Sequence, residues 1–532
     1  MAALRYHIMK KQSLLLGFTA LSMAVSSAFG LTVVSSDITS DTTWTTTGAP
    51  YILEEPIFVQ DGATLTIQPG VVVRGQPRNG TAVAGSLLVA RTGRIEAEGT
   101  STNPIIFTTA AVDVNNDGNA DGSVNAYTRF DDSIHDENDF LDEDPANTPL
   151  APLNTAGEPN LQLWGGVVVL GNAPTNLGIG TGPGGDAEAG IGNIEGIDPQ
   201  TNETKFGGFN PSDDSGILRY ISIRHGGDVI EDANEINGLT LGGVGSGTTV
   251  DHIEVYCNWD DGFEFFGGTV NVDHLAAIFV GDDHFDFDEG YTGQAQFLFV
   301  VMPYFTAASG DYGSSSGDEA GEWDGDDWDL RSNDVTLNAD GRPVPFSYPF
   351  VYNMTVVGSD LPSTSAATHS NSDLGRILMR NGFNGWVANS IIVNTGSTNP
   401  LSVSNADGAP GYNATDNAAA GTLGLAGVTF GDVPSGFPAA SSAEETALAN
   451  GGGNLVNPAT FSLLGEDQNF NGSATLNPRP TGIPTNYTNP APFIGGGFIE
   501  TVEYRGAFDS NTSTPLWTTG WTAANARGFL AN

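Results

Sequence analysis

Short apolar runs recur along the chain, and the residues between them are rich in glycine, asparagine and aspartate. Two units repeat at a spacing of 22 residues: the segment 250–253 (Val-Asp-His-Ile) recurs at 272–275, and 260–264 (Asp-Asp-Gly-Phe-Glu) recurs at 282–286. A degenerate third copy follows at 295–300. A period near 20 residues with short β-rich segments is too short for paired-helix repeats and is typical of one coil of a parallel β-helix.

Further apolar runs predict additional strands of the same kind. They lie at residues 65–67, 71–73, 87–89, 105–107, 164–170, 218–223, 351–357 and 386–393. In such a solenoid each strand pairs in parallel with its equivalent one coil away, and the inward side chains stack into one apolar column. The pattern therefore predicts an all-β, single-stranded parallel β-helix.

Polar stretches divide this predicted solenoid into segments. The expected order is N-terminal coils at 31–112, an acidic insertion at 113–159, central coils at 160–400, a loop-rich irregular layer at 401–490 and a C-terminal β cap at 491–532, with further insertions at 171–217 and 305–348. A cap is expected because an open solenoid exposes unpaired strand edges.

Residues 1–30 have the pattern of a secretory signal peptide. Arg5, Lys10 and Lys11 precede an apolar stretch, and Ala28-Phe29-Gly30 forms a small-x-small cleavage site. No later apolar run has the length that spans a bilayer. The sequence therefore predicts an exported protein, extracellular or on the outer cell surface, with the periplasm as an alternative.

The charged composition of the chain limits the kinds of molecule that it can bind. The chain has 63 acidic and 18 basic residues, a formal charge of −45, and loss of the predicted leader, which holds three basic and no acidic residues, makes it −48. Such a polyanion repels nucleic acid, so the charge favours bound cations or a saline medium. The single Cys257 cannot form an internal disulfide, which leaves packing and metal ions to stabilise the fold.

Several motifs resemble secreted bacterial β-helix proteins. They are Gln68-Pro69-Gly70-Val71-Val72-Val73 and residues 95–100, 103–108, 164–171, 260–268 and 504–508. Together they resemble a group of large exported proteins with a pectin-lyase-like fold and no assigned activity. The resemblance implies a right-handed β-helix and export, and it indicates no reaction.

The fold also resembles that of polygalacturonases and pectate lyases, whose catalytic patterns imply particular residues. Arg224-His225-Gly226-Gly227 departs from the Gly-His-Gly of polygalacturonases, and Gly375-Arg376-Ile377-Leu378 lacks the lysine of their Arg-Ile-Lys. Pectate lyases pair calcium-binding acids with an Arg or Lys base, whereas Lys205 is the only lysine beyond the leader. These departures favour a non-catalytic protein.

One local motif predicts a Ca²⁺ loop. Asp113, Asn115, Asp117 and Asp121 match a D-x-N-x-D-G-x-x-D pattern, in which oxygens at alternate positions converge on a hard cation. Val124 stands where an EF-hand would have its bidentate Glu, so the motif is closer to the calcium loops of extracellular thrombospondin-type repeats. The alternative is an acidic turn without an ion.

The repeat predicts a second cation site. Asp260, Asp261 and Glu264 should stack over Asp282, Asp283 and Asp286, with Asp288, Asp324 and Asp326 nearby. Two carboxylates about 5 Å apart repel by roughly 0.8–3 kcal/mol. Ca²⁺ relieves such repulsion because it accepts six to eight oxygen ligands, and it is the predicted cofactor.

Two alternatives for this acidic ladder stay open. Asp260 with Asp282, or Asp283 with Glu264, would supply a general acid and base for a glycosidic bond, with His284 as a further candidate base. The other alternative is a plain solvated acidic face. His252 and His274 stack by the same period, and a paired outer ladder is the preferred interpretation over a zinc site.

The predicted function is structural, adhesive or glycan-binding, with Ca²⁺ as stabiliser and polysaccharide or cell-surface glycan as partner. The alternative is a polysaccharide lyase or glycoside hydrolase that uses the acidic ladder. Trp259, Trp323 and Trp328 flank the acids, where their rings either stack on sugars or cover the coil edge. The sequence leaves self-association open.

Overall fold

The structure, a computed structural model, describes most of the chain beyond the predicted leader. The described residues are 30–112, 128–135, 138–154, 157, 159–177, 190–195, 197, 201–231, 234–303, 319–325, 347–359, 376–396, 399–404, 413–439, 441–465, 475–482 and 497–532. Residues 1–29 of the predicted signal peptide and residues 113–127 lie outside them.

The described residues form thirty-six strands and three short helices. The first strands are β1 (Thr32–Val34), β2 (Thr42–Trp44), β3 (Tyr51–Leu53), β4 (Pro56–Val59), β5 (Thr64–Ile67), β6 (Val72–Gly75), β7 (Ser86–Val89), β8 (Arg94–Glu98), β9 (Ile105–Thr109), β10 (Ala111–Val112), β11 (Thr128–Arg129), β12 (Val167–Leu170), β13 (Gly192–Asn193), β14 (Lys205–Phe206), β15 (Gly216–Arg224), β16 (Val229–Glu231), β17 (Asn234–Glu235) and β18 (Leu239–Gly242). They continue with β19 (Thr249–Tyr256), β20 (Phe263–Phe266), β21 (Val272–Ile278), β22 (Phe285–Asp288), β23 (Gln294–Gln296), β24 (Phe299–Val301), β25 (Gly321–Asp324), β26 (Phe350–Tyr352), β27 (Thr355–Val357), β28 (Ile377–Arg380), β29 (Gly385–Ala388), β30 (Ile391–Val393), β31 (Leu401–Val403), β32 (Leu423–Ala426), β33 (Thr429–Gly431), β34 (Leu455–Val456), β35 (Ser462–Gly465) and β36 (Asn477–Thr481). The helices are α1 (Ala414–Ala420), α2 (Ala443–Asn450) and α3 (Ala523–Ala526), and none of the three has the length and apolar character to cross a bilayer.

Parallel pairing arranges these strands into three stacked faces. The first face runs β2-β5-β8-β15-β19-β21-β23-β26-β29-β32, and the second runs β1-β3-β6-β9-β15-β19-β21-β24-β27-β30-β33-β34, because β15, β19 and β21 each turn the corner between them. The third face runs β4-β7-β12-β18-β20-β22-β25-β28-β31. The predicted parallel β-helix is therefore confirmed.

The 22-residue repeat is one coil of this solenoid. Val250 pairs with Val272 on the first face, and Phe263 pairs with Phe285 on the third. The degenerate third copy is one residue longer, since Val272 pairs with Ala295. Each of the other apolar runs in the sequence also coincides with strands of the three faces.

The corner between the first and second faces uses the left-handed backbone region. Tyr220, His252, His274 and Phe297 have φ between 49° and 55° there. Such values are uncommon for residues other than glycine and asparagine. The repeated bend turns these side chains outward, and their rings stack with centroids 4.3–4.6 Å apart.

One continuous apolar column fills the solenoid. Phe263 and Phe285 stack inside it with ring centroids 5.0 Å apart and planes 6° apart, and both are fully buried. The column ends at Phe437, Ala449 and Leu448, which belong to α2 and the turn before it. A buried carboxylate, Glu445 of α2, accepts the backbone N–H of Val403 at 2.8 Å and so joins this end to β31.

The position and nature of the C-terminal closure differ from the prediction. Coils continue past residue 400 through β31 to β34, where an irregular layer was expected, and the helices α1 and α2 close the apolar column. Residues 497–532 contain one helix and no strand. They lie along the second face, because the outward side chains there are apolar and need cover.

Residues 504–530, the C-terminal strap, run back along the coils. Arg505 donates to the carbonyl of Val428 and the hydroxyl of Thr429 in a late coil. The N–H groups of Ala523 and Ala524 donate at 2.6 and 3.0 Å to Glu254 in an earlier coil. The strap thus connects an early coil to a late coil, and both coils are distant from the strap in the sequence.

Truncation of the stacked core should cost far more than truncation at the surface. We expect Phe285→Ala to lower the free energy of unfolding by about 3–5 kcal/mol, because it leaves a cavity beside Phe263. The exposed Phe209, at 71% accessibility, provides the control, and Phe209→Ala should change stability by no more than about 0.5 kcal/mol. Urea denaturation measures both, and equal effects would contradict the stacked column.

Candidate metal centre

The outward side chains of the third face change character along the solenoid. In register order they are Phe58, Leu88, Val168, Thr240, Glu264, Asp286, Glu322, Leu378 and Ser402. The first members are apolar and pack with Phe206 of the β13–β14 segment. The acids begin at β20 and continue for three coils, so the third face carries a stacked carboxylate column.

A second column of polar side chains lies in the turns that precede β18, β20, β22 and β25. Asn237, Asp261, Asp283 and Glu319 each stand two residues before a strand of the third face. The N–H of Asp261 donates to Oδ1 of Asn237 at 3.2 Å, and the N–H of Asp283 donates to Oδ1 of Asp261 at 3.0 Å. These bonds fix each turn over the next.

Two groups of three carboxylates come together where the columns meet. One oxygen each from Asp260, Asp261 and Asp282 lie within 4.8 Å of one another, and so do oxygens of Asp261, Glu264 and Asp286. Asp261 belongs to both groups. Ca²⁺ binds oxygen ligands at about 2.4 Å, so carboxylates brought this close together are candidate ligands of one ion.

Several of these carboxylates are almost removed from water. Asp261, Glu264 and Asp283 are 8%, 6% and 7% exposed. The Asn237 amide donates to Glu264, but Oδ1 of Asp283 and Oδ1 of Asp286 are buried and accept no hydrogen bond. A buried charged oxygen without a donor is costly, and a cation would satisfy it.

The ladder holds protons strongly when no cation is present. Burial raises the pKa of Asp261, Glu264, Asp283 and Asp286 well above ordinary carboxyl values, and neighbouring negative charges raise each pKa further. For Glu264 the largest of these charges is Glu195. A divalent ion bound here would displace those protons, so its binding competes with acid.

Among the described residues, two arginines pair with acids at the far end of the ladder. Nε of Arg376 donates to both oxygens of Glu319 at 2.9 and 3.0 Å, and Nε of Arg380 donates to both oxygens of Asp324 at 2.9 Å. Burial opposes the charge of Arg380, but Asp324 and Glu322 outweigh it and raise its pKa. Arg380 is therefore a counter-ion and holds its proton too firmly to act as a base.

The remaining predicted ligands are divided. Asp288 and Asp324 are nearly buried and lie two residues beyond Asp286 and Glu322, in the neighbouring outward column. The other five predicted ligands, Asp113, Asn115, Asp117, Asp121 and Asp326, lie outside the described residues. The calcium loop therefore stays a prediction.

His284 and Trp323 are poorly placed to meet a ligand. His284 is fully buried, with its ring nitrogens facing the carbonyls of Glu319 and Val301 at 3.1 and 3.3 Å, and burial lowers its pKa to about 4. Trp323 points into the apolar column and stacks on Phe287. Its interpretation as a sugar platform or edge cover is wrong, because its position in β25 is an inward one.

Sequence reasoning missed several members of the site. Asn237, Glu319, Arg376 and Arg380 were not assigned to it, nor was Glu195. A signal for two of them existed: Asn237-Gly238-Leu239-Thr240 and Glu319-Ala320-Gly321-Glu322 match the turn-and-strand pattern of residues 261–264. Glu195 approaches through an inserted segment, which no repeat spacing reveals.

Comparison with known proteins supports the fold assignment. A family model described as a pectate-lyase like beta helix domain matches residues 36–124 and 146–459. No curated protein matches the chain. The matched residues include every acid of the described ladder.

The protonated ladder predicts an unusual dependence of stability on pH. Without divalent cations, the thermal midpoint should fall as pH rises from about 5 to about 8. A carboxyl group whose pKa is higher in the folded state than in the unfolded state stabilises the fold when it is protonated. This contribution is complete below the ordinary carboxyl pKa near 4, and it is lost as the pH rises through the raised pKa of the folded state.

The double variant Asp261→Asn with Glu264→Gln should lose at least half of this pH dependence. The control, Asp61→Asn with Glu503→Gln, removes two exposed charges and should keep the wild-type dependence. Thermal melts in EGTA at several pH values provide the measurement, and equal slopes for the two variants would contradict the assignment.

Proposed function

The chain belongs to the pectate-lyase-like β-helix family, and we propose that it is an extracellular structural protein whose solenoid is stabilised by Ca²⁺ and binds or adheres to glycans at the cell surface. One observation carries the calcium proposal: the two carboxylate groups share Asp261, which is nearly buried, and Oδ1 of Asp286 in one of these groups is buried without a hydrogen-bond donor. Export is supported by the leader pattern of residues 1–30.

Calcium resolves the electrostatic problem of the ladder. When they are ionised, the stacked carboxylates of adjacent coils, whose oxygens lie within 4.8 Å of one another, repel each other. Unfolding separates the carboxylates and so relieves this repulsion. An ion that binds only the folded state adds stability, about 2.7 kcal/mol when its concentration is 100 times Kd. Extracellular modules often bind Ca²⁺ with Kd near 10⁻⁴–10⁻³ M, which suits a secreted protein.

Glycan binding is supported by family membership and limited by charge. An acidic polysaccharide is repelled by a chain with a formal charge of −45, unless Ca²⁺ bridges the two sets of carboxylates. Neutral glycans meet no such barrier. We therefore expect binding of acidic polysaccharides to require Ca²⁺ and binding of neutral ones to be independent of it.

The alternative function is a carbohydrate-active enzyme at the same ladder. It is favoured by Asp260 and Asp282, which are half-buried and have oxygens within 4.8 Å of each other. Glycosidase pairs work because their environments push the two pKa values apart, whereas the buried acids here all have raised values. With His284 buried and Arg380 ion-paired, the geometry favours the structural function.

Calcium should raise the thermal midpoint of the wild-type protein, and the gain should increase with pH because the ion displaces protons. In the variant Asp261→Asn with Glu264→Gln, both carboxylate groups lose ligands, so we expect at least a tenfold weaker Ca²⁺ affinity. Asp61→Asn with Glu503→Gln is the matched control. Identical midpoints in Ca²⁺ and EGTA for the wild type would refute the calcium proposal.

The structural and enzymatic functions differ in their response to Asp260→Asn with Asp282→Asn. We expect this variant to lose Ca²⁺-dependent stability, with no polysaccharide cleaved by either it or the wild type. Acidic and neutral polysaccharides should be tested for binding and for release of reducing or unsaturated ends. Cleavage by the wild type that the variant lacks would establish the enzyme.

A further inference from the structure

A second group of metal-type donors lies at the corner between the first and second faces. His252 and His274 stack there with centroids 4.3 Å apart and planes 16° apart. Each follows an aspartate, Asp251 or Asp273, and these two aspartates pair in register on adjacent coils. The structure thus confirms the predicted histidine ladder and adds two carboxylates to it.

The donor atoms of this group are close together. Nδ1 of His252 forms a 2.6 Å hydrogen bond with Oδ1 of Asp251, and Nε of Arg219 donates to Oδ2 of the same aspartate at 3.0 Å. Nδ1 of His274 lies 3.0 Å from Oδ1 of Asp273 and 3.8 Å from Oδ1 of Asp251, and one donor each from Asp251, His252 and His274 lie within 4.8 Å of one another. Neighbouring ligands of a tetrahedral ion with bonds of about 2.0 Å are about 3.3 Å apart, which lies between the two distances of His274, and the His252–Asp251 hydrogen bond would be exchanged for bonds to the ion.

We propose that Asp251, His252, Asp273 and His274 bind a divalent transition metal of the zinc, nickel or copper class. Imidazole nitrogen suits these ions, whereas Ca²⁺ prefers oxygen ligands alone. The site is therefore chemically distinct from the acidic ladder on the third face. It extends the proposed function, since it does not depend on calcium or glycan binding.

Two buried atoms point to a ligand at this position. Oδ1 of Asp273 and Nδ1 of His274 are shielded from solvent, and neither forms a hydrogen bond, although they are only 3.0 Å apart. Buried polar atoms normally have partners. An ion between them would satisfy both without requiring the hydrogen-bond geometry that the pair lacks.

The site has an access route. It opens into a cavity of about 550 Å³ between the corner and the C-terminal strap, lined in part by both histidines, Tyr220 and Trp517. The histidine side chains are 16% and 20% exposed. The cavity therefore brings ions to the edges of the two imidazole rings, and a small local movement uncovers Nδ1 of His274 and Oδ1 of Asp273.

Metal binding should change the packing of the strap. An ion held by both imidazoles would change the charge and the position of the stacked rings. Trp517 meets both imidazole rings in a T-shaped arrangement, with its ring centroid 5.2 Å from that of His274 and 6.0 Å from that of His252. The ring centroids of Trp521 and His252 are also 6.0 Å apart. These indoles are close enough to report on an ion held by the rings.

The experiment titrates the calcium-loaded full-length protein with Cu²⁺ and follows tryptophan fluorescence. We expect saturable partial quenching at one ion per chain, reversed by a chelator. His252→Asn with His274→Asn should weaken the affinity at least 100-fold, whereas the control His135→Asn, which removes an exposed-loop histidine beside Asp131, should leave it unchanged. Zn²⁺ should compete with Cu²⁺, and Ca²⁺ should not.

Pulsed electron paramagnetic resonance of Cu²⁺ on the wild-type protein tests the same site without any variant. Two coupled imidazole nitrogens are expected. An oxygen-only signal, or copper affinity that disappears in Asp261→Asn with Glu264→Gln, would assign the ion to the acidic ladder and overturn the proposal. Loss of calcium stabilisation with retained copper binding would overturn the calcium proposal alone.

Discussion

In-register stacking is the constraint on which the rest of this structure depends. Each residue lies directly over its equivalent in the next coil, about 4.8 Å away, so every outward or inward position becomes a column of stacked side chains. The register Phe263–Phe285 is favourable, because stacked rings exclude water together. The register Glu264–Asp286 is unfavourable in isolation, because it places one negative charge on another.

The same constraint explains why charged columns need an external partner. On the surface of a globular protein, acidic side chains can be far apart. In a solenoid, an acidic position that recurs in successive coils places one carboxylate next to another at the coil spacing. Arg376 and Arg380 neutralise the coils of β25 and β28 from within the chain. In the coils of β20 and β22, Oδ1 of Asp283 and Oδ1 of Asp286 are buried without a hydrogen-bond donor, and Asp261, Glu264 and Asp283 are buried enough that solvent screens their charges little.

The sequence predicted whatever the repeat period controls. The spacing between residues 250 and 272 located the coils, and the spacing between 260 and 282 located the acids, since both are consequences of register. It failed where contacts come from outside the repeat. The burial of His284 under Glu319 and the approach of Glu195 depend on insertions whose length has no period. The helical closure by α2 was also missed, because its few apolar residues resemble loop composition.

The C-terminal strap has a consequence for the order of assembly. Successive coils can stack on one another, yet the outward apolar side chains of Tyr256, Ile278 and Phe299 are covered by residues more than two hundred positions later in the chain. The buried carboxylate of Glu254 likewise obtains two of its hydrogen-bond donors only when the N–H groups of α3 are in place. A chain without the C-terminal strap would therefore expose an apolar flank along its middle coils, which is the kind of surface that quality-control proteases recognise.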